Sequence, residues 1–188
     1  GLLGRKGYPI TSMRSHVDDE TPNGEGLFSR DCPEYGIETP SGKRLVILVN
    51  HFKSKGFGSQ AQSSARRKIQ AQRVAEICRG LSDDGERFFA VVGDLNDTPD
   101  SDPLRPLLVG AGLQDAFYHP NFDDGGHPGT YGSCTAANKI DYLLLSPALM
   151  EKVTKGGVLR KGMWPGVRPK KWDVYPELKE KRDAASDH

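Results

Sequence analysis

Three short apolar runs punctuate an otherwise polar chain: Leu45 to Val49, Phe88 to Val92, and the core of Lys139 to Ser146. Runs of this length without strict alternation read as strands covered on both faces. Leu27 to Cys32 and Glu34 to Glu38 also read as strand material. The turn Thr39-Pro40-Ser41-Gly42-Lys43 then joins the second of these to Leu45 to Val49, which predicts a hairpin. Ala61 to Leu81 has helical spacing, with Ala71, Val74, Ile77, Cys78 and Leu81 as its inner stripe. Extended backwards, that stripe reaches Gln70 and Arg67, and Arg67 is read as a plain surface arginine in preference to one looking toward the mouth of a site. Ser101-Asp102-Pro103 predicts a helix start, with Asp102 as cap and Pro103 in the first turn, stopping near Gly110 to Gly112. Thr130-Tyr131 opens a further predicted strand, Pro147 to Lys152 a helical turn, and Val153 to Leu159 a last strand. Thr11 to Glu25, His119 to Gly129 and Gly162 to Pro176 are loops. The histidines His16, His119 and His127 lie in them and are expected to be exposed.

Composition bounds the picture without deciding it. At 188 residues, 36% hydrophobic and 27% charged, the chain fits one globular domain spanning 1–188. A net charge of +1 gives no global field toward a polyanion. Basic clusters stand at Arg66-Arg67-Lys68, Arg160-Lys161, Arg168 to Lys171 and Lys179 to Arg182, and are expected to be solvated surface. Trp164 with Arg160, Lys161 and Arg168 makes either a packed tryptophan with a solvated rim, the favoured reading, or a stacking platform for nucleic acid. The three cysteines, Cys32, Cys78 and Cys134, lack the spacing of a zinc site, and their odd number argues against a disulfide framework. No run approaches a transmembrane span, and the start does not read as a signal peptide. A monomer is expected, and the compartment stays open.

Candidate chemistry sits where the apolar runs stop. His51 follows the first run and Asp94 the second, with Asn96 two residues on. In an extended chain Asp94 and Asn96 point to the same side. A strand-ending turn is the plainer reading of Asp-x-Asn-Asp. Asp141 is a carboxylate within the third apolar run, costly unless paired. The chain closes on Ser186-Asp187-His188. Carboxylates, a carboxamide and two histidines suit metal-assisted phosphoryl hydrolysis, and hard oxygen donors point to Mg²⁺ or Mn²⁺.

Asn50-His51-Phe52-Lys53-Ser54-Lys55, Gly93-Asp94-Leu95-Asn96-Asp97, Ile140-Asp141-Tyr142 and Ser186-Asp187-His188 occur in an order that resembles the endonuclease/exonuclease/phosphatase superfamily. That superfamily includes pancreatic-type deoxyribonucleases, abasic-site endonucleases, inositol-polyphosphate phosphatases and sphingomyelinases. Arg14 to Asp19 and Leu27 to Tyr35 look like a bacterial branch of it. The resemblance implies an α+β fold, a four-layer αββα sandwich. It implies that Asp94 orients and deprotonates the attacking water with help from Asn96. His51 and His188 would donate hydrogen bonds to the phosphoryl oxygens, and Asp141 would fix the His188 tautomer. Asp187, with Asp94 and Asn96, would serve the metal. It further implies a phosphodiester substrate, nucleic acid above all, with phosphomonoesters, lipid phosphodiesters or a non-catalytic scaffold as alternatives. The superfamily's first strands, with a metal-site asparagine and glutamate, have no match, and neither does the strand after Ser-Asp-His. The chain is therefore expected to be the C-terminal portion of the domain, incomplete at both ends, with weak Mg²⁺ binding and little activity alone.

Overall fold

Strand β3, Arg44–His51, and strand β4, Phe89–Asp94, run parallel at the centre of a six-stranded sheet. The computed structural model describes residues 2–56, 58–167 and 169–188. Four more strands complete this sheet: β1 (Ile10–Arg14), β2 (Glu34–Glu38), β5 (Gln114–Asp115) and β7 (Asp141–Leu145). The order is β1-β2-β3-β4-β7-β5, and every pairing but β3 with β4 is antiparallel. A separate two-stranded sheet joins β6 (Phe122–Asp123) to β8 (Gly156–Gly157). The predicted hairpin is β2 and β3. Leu27 to Cys32 is not a strand; Leu27, Phe28 and Cys32 are buried as part of an irregular segment under the helix. The polar Ile10–Arg14 does pair, as an exposed edge strand that carries no apolar alternation. Thr130-Tyr131 forms no strand, and only Gly156–Gly157 pairs within the stretch assigned to the last one.

The parallel connection from β3 to β4 is made by helix α1, Gln60–Asp83, as a parallel pair requires. Ser59 caps α1: its hydroxyl accepts from the Gln62 backbone, and the Gln62 side chain accepts from the Ser59 backbone, a reciprocal box. The expected stripe of Ala71, Val74, Ile77 and Cys78 packs on Val46 and Leu48 of β3, Phe89 and Val91 of β4, and Tyr142 and Leu144 of β7. Two short helices, α2 (Arg105–Leu108) and α3 (Pro147–Met150), close the ends of other connections. Ser101, not Asp102, takes the N-cap position there, and Asp102 begins a 3-10 turn leading into α2.

Strand alternation gives the sheet's two faces different fates. One face lies under α1. The other presents Leu45, Ile47, Val49, Val92 and Leu143, all partly open to solvent, with Leu143 42% exposed. This sheet with its helix supplies two adjacent layers of an αββα arrangement, and the open apolar row is the kind of face on which a second sheet stacks.

Candidate active site

The register of the sheet places three of the expected residues in one row. His51 of β3 is the cross-strand partner of Asp94 on β4, and Asp94 is the partner of Asp141 on β7. All three project from the face opposite α1, because Asn50, Val91 and Tyr142 beside them occupy the covered face. His51 Nε2 lies 3.6 Å from Asp94 Oδ2. The C-terminal segment then brings His188 to the same place, where its Nδ1 is 2.8 Å from Asp141 Oδ2. This is the partner that Asp141 needs, and it sets which ring nitrogen of His188 faces outward.

Asp94 and Asn96 meet, though not by strand alternation. β4 ends at Asp94, Leu95 turns into the core, and Asn96 adopts a left-handed φ of 55°. Asp94 Oδ1 accepts from the Asn96 backbone N–H at 2.8 Å, and Oδ2 accepts from Nδ2 at 3.0 Å. The same amide nitrogen donates to the Phe52 carbonyl at 3.1 Å. Asp-x-Asn-Asp is thus a strand-ending turn that also brings the Asp94 and Asn96 side chains together. Gly93 makes it possible: its φ is 125°, and a Cβ there would lie 2.0 Å from the Asn50 carbonyl oxygen.

Charge and burial tune these groups. Burial pushes the Asp94 carboxyl above its usual range, the Asn96 backbone bond opposes this, and the nearby Asp141 charge adds to it. His51 is pushed below its ordinary value by burial, against the pull of Asp94 and with the help of the Arg30 cation. For His188, burial works downward, but the Asp141 hydrogen bond and charge, with Asp94 and Asp187, outweigh it and raise the imidazole. One ligand atom each from Asp94, Asp141 and His188 lies within 4.8 Å of the others. Asp187 is exposed and stands beside this cluster without belonging to it; its carbonyl accepts from Gly132 N–H at 2.8 Å.

Several residues here escaped the sequence pattern. Arg67 is fully buried, not a surface residue: its Nε donates to Asp97 at 2.9 Å and its Nη1 to the Lys53 carbonyl at 3.0 Å. Gln70, equally buried, accepts from the Lys53 backbone N–H at 2.9 Å. The helical stripe extended to both positions, and this was the available signal. Together they fix the segment that follows His51 and the loop that follows Asp94. Tyr142 adds to that loop by donating to the Asp97 carbonyl at 2.8 Å. Arg30 lies against the His51 ring, with Nη1 2.6 Å from Nε2. His16 is not an exposed loop residue: it is 2% exposed and bridges Asp19 and Glu34 through its two ring nitrogens. His119 and His127 are half-buried. Trp164 and Trp172 are half-buried too, and both line a cavity next to Asp187. Gly1, Phe57 and Arg168, the last a member of the basic cluster and of the considered stacking platform, lie outside the described residues.

Solved structures share this architecture. A mannosyl-6-phosphatase from Bacteroides thetaiotaomicron matches with a TM-score of 0.59 at 17% identity, over 75% of this chain and 54% of that one. An endonuclease/exonuclease/phosphatase family protein from the same organism matches at 0.58 and 17%, over 74% and 52%. The chain has the endonuclease/exonuclease/phosphatase fold. Sphingomyelinase C from Streptomyces griseocarneus shares it at a TM-score of 0.52 and 16% identity, over 75% of this chain and 50% of that one. The chain spans about half the length of these endonuclease/exonuclease/phosphatase-fold proteins. No family model and no curated protein matches it. Among the described residues, no helix is long and apolar enough to cross a membrane, and all three cysteines are free and buried.

Proposed function

We propose that this protein is a divalent-metal-dependent hydrolase of phosphodiester bonds, acting as a nuclease. The observation that carries the reading is the row of His51, Asp94 and Asp141 on adjacent strands, closed by the His188–Asp141 hydrogen bond. A fold shared by many chemistries does not name a function, so the argument rests on this constellation. That proteins of the same fold include one named a phosphatase and one named a sphingomyelinase supports phosphoester hydrolysis as the general class.

Asp94 takes the proton of the attacking water as the new oxygen–phosphorus bond forms and the ester oxygen–phosphorus bond opposite it breaks, the departing oxygen taking a proton from solvent; Asn96 holds the Asp94 carboxylate in orientation. His51 and His188 donate to the phosphoryl oxygens as negative charge grows on them. Asp141 holds His188 in its donating tautomer. The donor set suits a hard cation: Asp94 and Asp141 bring two carboxylates near each other, and Asn96 offers an amide oxygen. Asp94 and Asn96 would hold Mg²⁺ or Mn²⁺ together with Asp187, and such an ion supplies charge neutralisation at the phosphate.

A phosphomonoesterase or lipid phosphodiesterase would use the same row and differ in its surrounding loops; a scaffold would use none of it. The test is a panel of supercoiled plasmid, a simple phosphomonoester and sphingomyelin, each with Mg²⁺ and with a chelator. Mg²⁺-dependent nicking supports the nuclease. Turnover of the monoester or the lipid without nicking moves the assignment to that class, and absence of even a single turnover, with protein in excess over each substrate, removes the enzymatic reading.

A further inference from the structure

The cavity beside His188 has a volume of about 470 Å³, within the size range of small-molecule sites. Its wall includes Tyr131, Trp164, Trp172, Lys171, Lys181 and Asp187. Tyr131 links it to the catalytic row, because its ring centroid is 5.0 Å from that of His188. A group bound in the cavity therefore sits one aromatic ring away from the phosphoryl site.

The wall is organised rather than loose. Trp172 Nε1 donates to the Met163 carbonyl at 3.2 Å, and the His127 ring meets the indole edge-on at 5.2 Å. Lys171 Nζ donates to the Ser133 carbonyl at 3.1 Å. The charged side chains of the wall are two exposed lysines and a single carboxylate, Asp187, already assigned to the metal. Aromatic faces beside lysines are the chemistry that stacks a base and holds the phosphates next to it. An acyl-chain site would need a longer aliphatic lining than Met163, Pro165 and Ala184 provide between these aromatic and charged side chains.

We propose that this cavity is a nucleobase subsite: it takes the base of a nucleotide flanking the scissile phosphate, stacked against Trp164, since the Trp172 indole is already held by Met163 and His127, with Lys171 and Lys181 on the adjoining backbone phosphates. The inference rests on the phosphodiesterase reading above and narrows its substrate to nucleic acid with an unpaired base available.

Trp164 and Trp172 are the two tryptophans of the chain, so intrinsic fluorescence reports on this cavity directly. The protein is titrated, in chelator so that nothing is cleaved, with a thymidine octamer and with an abasic octamer of the same length and charge. The thymidine octamer quenches the fluorescence and the abasic one does not. Trp164→Ala weakens thymidine binding roughly fivefold to a hundredfold and leaves the abasic affinity unchanged, while Trp164→Phe, which keeps a ring, retains most of it. Lys171→Ala with Lys181→Ala lowers the salt dependence for both probes, by a slope of about 0.7 per phosphate contact. Equal quenching by the two probes, or thymidine affinity indifferent to both Trp164 variants, overturns the proposal. Nicking activity without base-dependent quenching removes the subsite and leaves the enzymatic reading; base-dependent quenching without hydrolysis does the reverse.

Discussion

Replacing Asp97 by alanine isolates the device that holds the loop after β4 to helix α1. The Arg67 side chain is 0% exposed and that of Asp97 8%, with Nε 2.9 Å from Oδ2. At that separation and an effective dielectric near 20, the attraction is on the order of 5–6 kcal/mol, against which both desolvation costs must be set. In Asp97→Ala the Arg67 guanidinium keeps the Lys53 carbonyl and the Ser64 hydroxyl but, among the described residues, has no other carboxylate at ion-pair distance. Removing one partner of a buried pair costs about 3–5 kcal/mol. Lys55 also loses its 2.7 Å contact with Asp97, but its side chain is 45% exposed, so that loss adds only about 0–1 kcal/mol. The melting temperature should fall by roughly 6–20 °C, at about 2–4 °C per kcal/mol for a chain of this size. Urea denaturation at neutral pH measures the change, and an unchanged slope shows that the native state was altered rather than the unfolded one. Arg67→Met with Asp97→Asn should cost clearly less than the sum of the single changes, because the second removes a charge already stranded by the first. A loss below about 1 kcal/mol for Asp97→Ala, or strict additivity in the double variant, would refute this account.

Three further outcomes follow from the site and its surroundings. In metal-free protein, the His188 imidazole should titrate above 6.5 and that of His51 below it by NMR. The raised His188 value means its contribution to stability is complete below pH 6.5 and fades as pH rises through the folded value; Asp141→Asn should move His188 downward, and a His188 value at or below that of His51 would contradict the pairing. Gly93→Ala should cost more than about 4 kcal/mol, since its Cβ would meet the Asn50 carbonyl and φ is left-handed; a near-wild-type melt would contradict the β3–β4 geometry. His16→Leu should cost about 1–3 kcal/mol, mainly through Glu34, because Asp19 keeps its 2.7 Å bond to Arg73; thermal melting decides, and an unchanged melt would argue against the bridge.

The central strands, helix α1 and the row of site residues were legible because each rests on a local pattern. Apolar runs mark β3, β4 and β7, and the polar residues that interrupt or end them form the candidate site. The same patterns failed where a polar side chain is buried by tertiary pairing. Arg67 and His16 read as surface residues because nothing near them in sequence shows that Asp97 and Glu34 stand opposite. Edge strand β1 has no alternation because its side chains stay in solvent. Asn96 reached its expected neighbour through a left-handed turn that strand alternation does not describe. The cavity of Trp164 and Trp172 is assembled from segments far apart in the chain, which a pattern read over a short window does not register.

The most direct test of the account is the rate of Mg²⁺-dependent phosphodiester cleavage by Asp94→Ala beside the unaltered protein. The account predicts a loss of roughly 100- to 10,000-fold, the contribution of a positioned general base, with the melting temperature preserved. Cleavage by the variant within tenfold of the unaltered protein would contradict it, and the row of His51, Asp94 and Asp141 would then need another purpose.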